Sequence, residues 1–399
     1  MKMLRILAGI TAAMFALSPA LAQKSDSPSG TKADIVIGVT TPFSGPYSLL
    51  GDLARGAQAQ FNQINDEGGI NGRKVRVIAL DDELSPARAL ELTRQLVEQD
   101  KVLFVFGTVG TGSNAATMRY LNTNKVPQLL IQTGATRFVN VKNAPYTMIG
   151  MPAWETEGAA FGHYVATSAP NAKVAVLRSN DDFGTDYLAG FKRGLGDKRA
   201  NLVADVTHEA TDPTVDSQIV SLRSSGATVL AVFTNGKFVV QAIRKAAEIG
   251  WKPTLILPVG SSSTPGILRP AGVENAVGAI SSSFSKNLYD PALAQDPYVK
   301  GYYAMLKKQI PNGDPENSLY TGGAIQAQVL AEILRRAGDN LTRENVMKQA
   351  SSLKDFDFGG LLPGIKINTS PDDLRPFRQL KLMRFDGTSW KQFGDIISD

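Results

Sequence analysis

The chain has 399 residues, of which 43% are hydrophobic and 20% are charged, and its formal net charge at pH 7 is +5. That length is too great for one hydrophobic core and indicates about two domains. The sequence contains no cysteine, which excludes disulfides and a lipidated N-terminal cysteine, so the core must stabilise the fold.

The N-terminus has the pattern of a secretory signal peptide. Lys2 and Arg5 precede an apolar run at residues 6–17, and the small residues Ala20 and Ala22 follow. An uncleaved membrane anchor is the alternative, but the run is shorter than the roughly 18 to 20 residues that span a bilayer. We therefore expect cleavage after Ala22, which makes residues 1–22 the signal peptide, and a periplasmic mature protein.

The remaining chain has a nearly neutral charge balance, with 40 basic and 37 acidic side chains left after loss of Lys2 and Arg5. Its basic residues are scattered and form no stripe with interleaved aromatics, so no nucleic-acid partner is expected. No later segment is apolar for long enough to cross a membrane. Residues 23–33 are rich in Ser, Gly, Lys and Asp and are predicted to be a flexible leader, with the fold beginning at residue 34.

Short β-branched runs then alternate with longer segments of helical apolar spacing. The first series has predicted strands at residues 35–39, 75–80, 102–106 and 128–131. The second series, which begins after residue 151, has them at residues 173–177, 202–206, 229–233 and 254–257. This alternation predicts an α/β fold made of two doubly wound parallel-sheet units in tandem, with helices on both faces of each sheet.

The loops that follow the strands are the informative segments, because ligands bind beyond the carboxyl ends of doubly wound sheets. Residues 38–51 break the first strand with Pro and Gly, and residues 105–116 contain G-x-G-x-x-A at Gly110, Gly112 and Ala115. That pattern can cradle a dinucleotide, but no carboxylate follows about 20 residues later to hold a ribose. Nicotinamide cofactors are also not expected outside the cytoplasm, so we predict no cofactor.

Residues 101–154 contain no Asp or Glu. The free N–H groups at the helix start near Gly112, with the hydroxyls of Thr111 and Ser113, would bind a carboxylate there without competing acids. Burial of parallel strands also depletes acids and accounts for part of the pattern. Residues 126–139 add further hydroxyl and backbone donors after the next strand. The region is therefore predicted to bind an anion.

These loops also carry a family resemblance, which extends along the whole mature chain. Its motifs are FSGPYSLLG at 43–51, EGGINGRKVRV at 67–77, RSNDDFGTDYLAGF at 178–191 and AAEIGWKP at 246–253. They resemble the type I periplasmic binding proteins of the leucine/isoleucine/valine-binding branch. Proteins of this branch serve ABC importers of amino acids and related compounds.

The resemblance implies two lobes joined by a three-crossover hinge, with the ligand bound between them. The expected lobe 1 contains residues 34–150 and 284–355, and the expected lobe 2 contains residues 151–283 and 356–399. The implied partners are a small carboxylate ligand and an inner-membrane ABC permease complex. The implied mechanism is hinge closure without chemistry, and we expect a monomer.

The resemblance also implies ligand-binding roles for particular residues. The hydroxyls and N–H groups expected to hold the α-carboxylate belong to Thr111, Gly112, Thr133 and Ala135. Leu50 is expected to form an apolar wall. The other expected cleft-lining residues are Phe183, Asn235 and Tyr320, together with Trp154 and Val259.

Trp154 and Val259 occupy the places where amino-acid binders of this branch have carboxylates that pair with the ligand's ammonium group. Burying an ammonium against apolar side chains is costly, so a ligand without one is favoured: a carboxylate with an apolar or aromatic body. Trp154 would stack on that body, the alternative being a packed core or hinge aromatic. If the alignment shifts by one or two positions, the missing anion is Asp181, Asp182 or Glu155.

An exported enzyme and a ligand-sensing protein are the other two classes considered. His163 and His208 each lack a Cys or a second His at metal-binding spacing, and no G-x-S-x-G elbow accompanies them. We therefore expect no enzymatic activity and no metal. A sensor domain is normally followed by a membrane span and a signalling module, and we expect neither here.

Overall fold

The computed structural model describes residues 32–45 and 47–398. The predicted signal peptide with its cleavage site, and all but the last two residues of the predicted leader, lie outside the described residues. Within the described part of the chain, no helix combines the length and apolarity that crossing a membrane requires.

The first sheet has five strands in the order β2-β1-β3-β4-β5. Their bounds are β1 (Ile35–Thr41), β2 (Val75–Asp81), β3 (Val105–Phe106), β4 (Gln128–Ile131) and β5 (Thr147–Ile149). All four neighbouring pairs are parallel. The ladder between β1 and β2 runs from Ile35 opposite Val75 to Thr41 opposite Asp81. The inner strands β3 and β4 are buried on both faces, as parallel strands covered by helices require.

The second sheet has seven strands in the order β12-β11-β10-β9-β8-β6-β7. Their bounds are β6 (Val174–Ser179), β7 (Leu202–His208), β8 (Val229–Phe233), β9 (Thr254–Ile256), β10 (Ile280–Ser283), β11 (Gln379–Phe385) and β12 (Trp390–Ser398). The strands from β7 to β10 pair in parallel, whereas β10, β11 and β12 pair antiparallel. The hairpin between β11 and β12 turns at Asp386, whose carboxylate accepts the N–H groups of Thr388 and Ser389.

Helices cover both sheets. Their bounds are α1 (Asp52–Asp66), α2 (Pro86–Glu98), α3 (Thr111–Thr123), α4 (Trp154–Ser168), α5 (Asp182–Leu195), α6 (Asp216–Ser224), α7 (Lys237–Glu248), α8 (Arg269–Ala271), α9 (Pro297–Gln309), α10 (Ser318–Ala337) and α11 (Arg343–Ala350). Several begin at the capping residues that the sequence provides. The side chains of Ser85, Asp181 and Asn317 accept N–H groups of the first turns of α2, α5 and α10.

α4 and α5 approach each other closely through glycines. A Cβ atom on Gly158 would lie 2.4 Å from the carbonyl oxygen of Tyr187, and one on Gly190 would lie 2.1 Å from that of Glu155. No larger residue fits at either position without moving a helix. This contact brings the aromatic side chains of α5 against the N-terminal turn of α4, where the candidate site begins.

The expected lobe boundaries stay a prediction. β5 ends at Ile149 in the first sheet, and β10 ends at Ser283 in the second, close to the two boundaries expected at residues 150 and 283. Leu361, Leu362 and Phe377 pack in the same hydrophobic cluster as α1 and α10, beside the first sheet. We therefore propose that the third crossover lies nearer to Gln379, where β11 starts, than to residue 355.

Candidate functional site

Nine of the ten expected site residues lie in the loops after strands or in the helical turns that follow those loops, as the α/β architecture predicts. Leu50 lies in the turn after β1, and Thr111 and Gly112 are the first two residues of α3. Thr133 and Ala135 follow β4, Trp154 begins α4, Phe183 is the second residue of α5, Asn235 follows β8, and Val259 follows β9. Tyr320, near the start of α10, is the exception.

The structure brings the expected carboxylate-binding hydroxyls together. Thr111 Oγ1 and Thr133 Oγ1 lie 2.9 Å apart. Gly110, with φ of 94°, precedes α3, and no side chain caps this helix. The N–H groups of its first turn, which include those of Thr111 and Gly112, have no acceptor inside the helix. The N–H of Ala135 differs, because it donates to Thr133 Oγ1 at 3.2 Å.

One carboxylate from the second sheet does reach this region. Asp186, on α5, accepts the N–H of Thr136 at 2.8 Å. Burial raises the pKa of Asp186, and the charges of Glu155 and Asp182 act in the same direction. Sequence reasoning missed this contact because the acid-free segment is defined along the chain, whereas Asp186 approaches through space.

Trp154 is packed between loops of the two sheets, with 6% of its surface exposed. Its ring centroid lies 4.9 Å from that of Phe183, edge to face, and 6.4 Å from that of Tyr187. Its backbone N–H donates to the carbonyl oxygen of Gly134 at 3.0 Å. This packing favours the interpretation of Trp154 as a packed aromatic over one in which its face stacks on a ligand.

Glu157, one turn after Trp154, is a functional candidate that sequence reasoning missed. Its side chain is fully buried. Oε1 accepts the N–H of Val259 at 2.8 Å and the hydroxyl of Ser282 at 2.6 Å, and Oε2 accepts the hydroxyl of Tyr187. Burial raises the pKa of Glu157. The available signal was the helical spacing, which places Glu157 on the same face of α4 as the buried apolar residues Ala160, Phe161 and Val165.

The three acids considered as alternative ammonium partners each have a partner within the protein. Asp181 caps α5 by accepting the N–H of Gly184. Asp182 pairs with Arg137 at 2.7 Å. Glu155 pairs with Arg193 at 2.9 Å. These pairings make all three poor candidates for binding a ligand's ammonium group.

The loops that contain Asn235 and Val259 are joined by a network of polar side chains. Ser261 Oγ donates to the carbonyl oxygen of Thr234 at 2.7 Å and lies 3.1 Å from Asn235 Oδ1. The buried ring of His208 contacts Thr234 Oγ1 at 2.7 Å through Nε2. Asn235 is exposed, whereas the N–H of Val259 is bound to the carboxylate of Glu157.

Leu50 and Tyr320 belong to other elements than the threonine pair. Leu50 is half-buried beside Leu49, which is 74% exposed. Tyr320 packs in a hydrophobic cluster that contains residues of α1 and α9. A Cβ atom on Gly56 would lie 2.2 Å from the carbonyl oxygen of Tyr320, which shows how closely α1 and α10 approach. Tyr320 therefore joins helices in this structure. Among residues 32–45 and 47–398, no group of His, Cys, Asp or Glu is suited to hold a metal ion.

Comparison with known proteins identifies the family. A family model described as "Periplasmic binding protein" matches residues 34–389. The chain belongs to the periplasmic binding protein family. This confirms the resemblance stated above, and it indicates a periplasmic location for the protein.

Individual relatives and structural neighbours of this periplasmic binding protein agree with the family assignment. It is 25% identical over 363 residues to Leu/Ile/Val-binding protein homolog 7 of Brucella abortus (strain 2308), covering 87% of each chain. A branched chain amino acid ABC transporter structure from Thermus thermophilus with bound valine superposes with a TM-score of 0.82 at 15% identity, covering 93% of this chain and 97% of that one. A solute binding protein of an ABC transporter from R. palustris, in complex with benzoate, gives 0.74 at 20% identity, covering 92% and 98%. The structural matches confirm the predicted two-sheet α/β fold.

The buried carboxyl group of Glu157 generates a pH prediction. When the protein unfolds, this group has its ordinary pKa of 4.5, whereas burial raises the pKa in the folded protein. The contribution of Glu157 to the free energy of unfolding is therefore greatest below pH 4.5, and it is lost as the pH rises through the folded-state pKa. The stability advantage of the wild type over Glu157→Gln should shrink as the pH rises from 4 to 8, as measured by urea denaturation.

The control is Glu155→Gln on the same helix, which removes an exposed ion pair and should change stability by at most about 1 kcal/mol. If the difference in free energy of unfolding between the wild type and Glu157→Gln stayed constant or grew with pH, the raised pKa of Glu157 in the folded protein would be contradicted.

Proposed function

We propose that this periplasmic binding protein is the substrate-binding component of an ABC importer and captures a small carboxylate with an apolar or aromatic body. The observation that carries the proposal is the threonine pair, Thr111 and Thr133, at the uncapped start of α3. Hydroxyl and N–H donors at a helix start favour an anion, because the helix dipole adds to their hydrogen bonds.

The environment of the second sheet supports a ligand without an α-ammonium group. Asp181, Asp182 and Glu155 are engaged in a helix cap or in ion pairs. Both oxygens of Glu157 accept hydrogen bonds from protein donors. Asp186, the carboxylate that reaches the loop after β4, accepts the N–H of Thr136, and burial raises its pKa and so disfavours its charged form. Each of these acids therefore already has a protein partner, and the desolvation of an ammonium beside them would oppose binding.

The structural neighbours include proteins with both kinds of ligand. The Thermus thermophilus structure contains valine, and the R. palustris structure contains benzoate. The neighbours therefore allow either ligand class within this fold. The pairings of the second-sheet acids in this chain favour an acid without an ammonium.

Hinge closure is the proposed mode of capture. Arg269, at the start of α8, forms a bidentate contact with Glu316, just before α10, at 2.5 and 3.2 Å. α8 packs with the second sheet, whereas α10 packs with the first, so this pair bridges the two sheets' helices. The guanidinium of Arg269 lowers the pKa of Glu316. If the two lobes moved apart, the Arg269–Glu316 ion pair would break. The pair therefore stabilises the closed form of the protein.

Ligand class can be tested with matched acids. We expect benzoate and 4-methyl-2-oxopentanoate to raise the melting temperature, because a ligand at 100 times its Kd stabilises the folded state by about 2.7 kcal/mol. Benzamide and leucine are the controls, since the first lacks the carboxylate and the second adds the ammonium. A larger shift with leucine than with its keto acid would contradict the absence of an ammonium site. Failure of all the acids would contradict carboxylate capture.

The bridging ion pair predicts a kinetic effect. Arg269→Ala should weaken binding of a stabilising acid by roughly 2- to 5-fold, the range expected for an exposed ion pair. The loss should appear as faster dissociation in stopped-flow measurements. Lys245→Ala, which removes a pair with Glu248 within α7, is the control and should leave dissociation unchanged. Equal dissociation rates for Arg269→Ala and the wild type would show that the pair does not hold the closed form.

A further inference from the structure

The chain contains three tryptophans, and their indole N–H groups differ. Trp251 Nε1 donates to the carbonyl oxygen of Ala227 at 3.0 Å, and Trp390 Nε1 donates to that of Ser262 at 2.9 Å. Trp154 Nε1 is also buried, but it has no hydrogen-bond partner among the described residues. An unpaired buried N–H is costly, and native proteins rarely retain one without a reason.

The unpaired indole N–H lies against the loop that carries Thr133 and Ala135, two of the residues expected to hold the carboxylate. A Cβ atom on Gly134 would be 2.8 Å from Trp154 Nε1 and 2.7 Å from its Cδ1. Gly134 stands between Thr133 and Ala135, in the loop that contributes the second hydroxyl of the threonine pair. The indole edge is therefore placed against this loop.

A second buried donor belongs to α3, whose Ala115 and Met118 pack against the hydrophobic cluster that contains Trp154. Ser113 Oγ, in the first turn of α3, is buried and also has no hydrogen-bond partner among the described residues. Ser113 follows Thr111 and Gly112 directly, so it belongs to the same uncapped turn. Buried hydrogen-bond donors without a partner are thus found both on Ser113 of α3 and on Trp154, which packs against the loop after β4. An acceptor-only group such as a carboxylate suits such donors.

We propose that the indole N–H of Trp154 donates a hydrogen bond to the carboxylate of the ligand. This inference rests on the proposed function and names a ligand-binding role for the edge of the ring. Phe183 and Tyr187 pack against the ring, whereas its N–H remains unpaired. Because the indole N–H and an ammonium group are both donors only, Trp154 also disfavours an α-ammonium at this place.

The test uses the three indole signals of the full chain in ¹H–¹⁵N NMR spectra, with Trp→Phe variants to assign them. Benzoate and 4-methyl-2-oxopentanoate are the probes, and thermal shift measured on the same samples reports binding. On saturation, the Trp154 indole proton should move downfield and further than those of Trp251 and Trp390, which already have carbonyl acceptors. Binding without this larger downfield shift would overturn the proposal.

An isosteric replacement gives an independent readout. At position 154, 3-benzothienylalanine replaces the N–H with sulfur and keeps the ring, so affinity for benzoate should fall roughly 10-fold or more. The melting temperature of the ligand-free protein should stay the same or rise, because an unpaired donor is removed. The same replacement at Trp251 is the control and should lower the melting temperature without changing affinity. Unchanged affinity after replacement at position 154 would overturn the proposal.

Failure of this inference and failure of the proposed function have different signatures. If neither acid stabilises the wild type, carboxylate capture itself is wrong, and the role of Trp154 falls with it. If the acids stabilise the protein while the Trp154 signal and the isosteric variant behave like their Trp251 counterparts, only the inference is wrong.

Discussion

The buried carboxylate of Glu157 joins the segments around which the candidate site is built. Its two oxygens accept donors from α5, from the loop after β9 and from the end of β10. Glu157 itself lies on the first helix that follows the first sheet. Removal of the carboxylate would leave three donors without their acceptor, each at the cost of an unmade hydrogen bond. The position of Val259 and the packing of Trp154 both depend on this arrangement.

That constraint also shapes the chemistry of the site. A buried carboxylate with every oxygen engaged holds the second-sheet loops in place and has little capacity left for a ligand's ammonium. Asp181 caps α5, Asp182 and Glu155 form ion pairs, and Asp186 accepts the N–H of Thr136. Across from them, the start of α3 and the loop after β4 supply hydroxyls and N–H groups. The candidate site is thus rich in hydrogen-bond donors.

Much of the fold follows from local sequence patterns. The predicted strands at residues 128–131 and 229–233 coincide with β4 and β8, because buried β-branched and leucine-rich runs have few alternatives in an α/β chain. β10, with the sequence ISSS, lacks an apolar run, and the antiparallel hairpin of β11 and β12 lies outside the repeating pattern. β10 therefore had no apolar signal in the sequence. β11 does alternate polar and apolar residues from Gln379 to Leu382, but neither β11 nor β12 belongs to the strand–helix repeat from which the other strands were predicted.

The sequence pointed to candidate site residues but not to their interactions. Loops after strands pointed to Thr111 and Thr133, and the family resemblance pointed to Trp154. The structure places the two threonine hydroxyls in contact. The pairing of Glu157 with Val259 spans 102 residues along the chain, and that of Asp186 with Thr136 spans 50. Such contacts depend on how the sheets are joined, so no local pattern reveals them.

The most direct test of the account is the affinity of the double variant Thr111→Val and Thr133→Val for benzoate, measured by isothermal titration calorimetry. Valine keeps the shape of threonine and removes only the hydroxyl. The account predicts a loss of roughly 10-fold or more, because hydrogen bonds to a charged group are lost. Thr123→Val, at the exposed end of α3, should bind as the wild type does. Unchanged affinity in the double variant would contradict the carboxylate site.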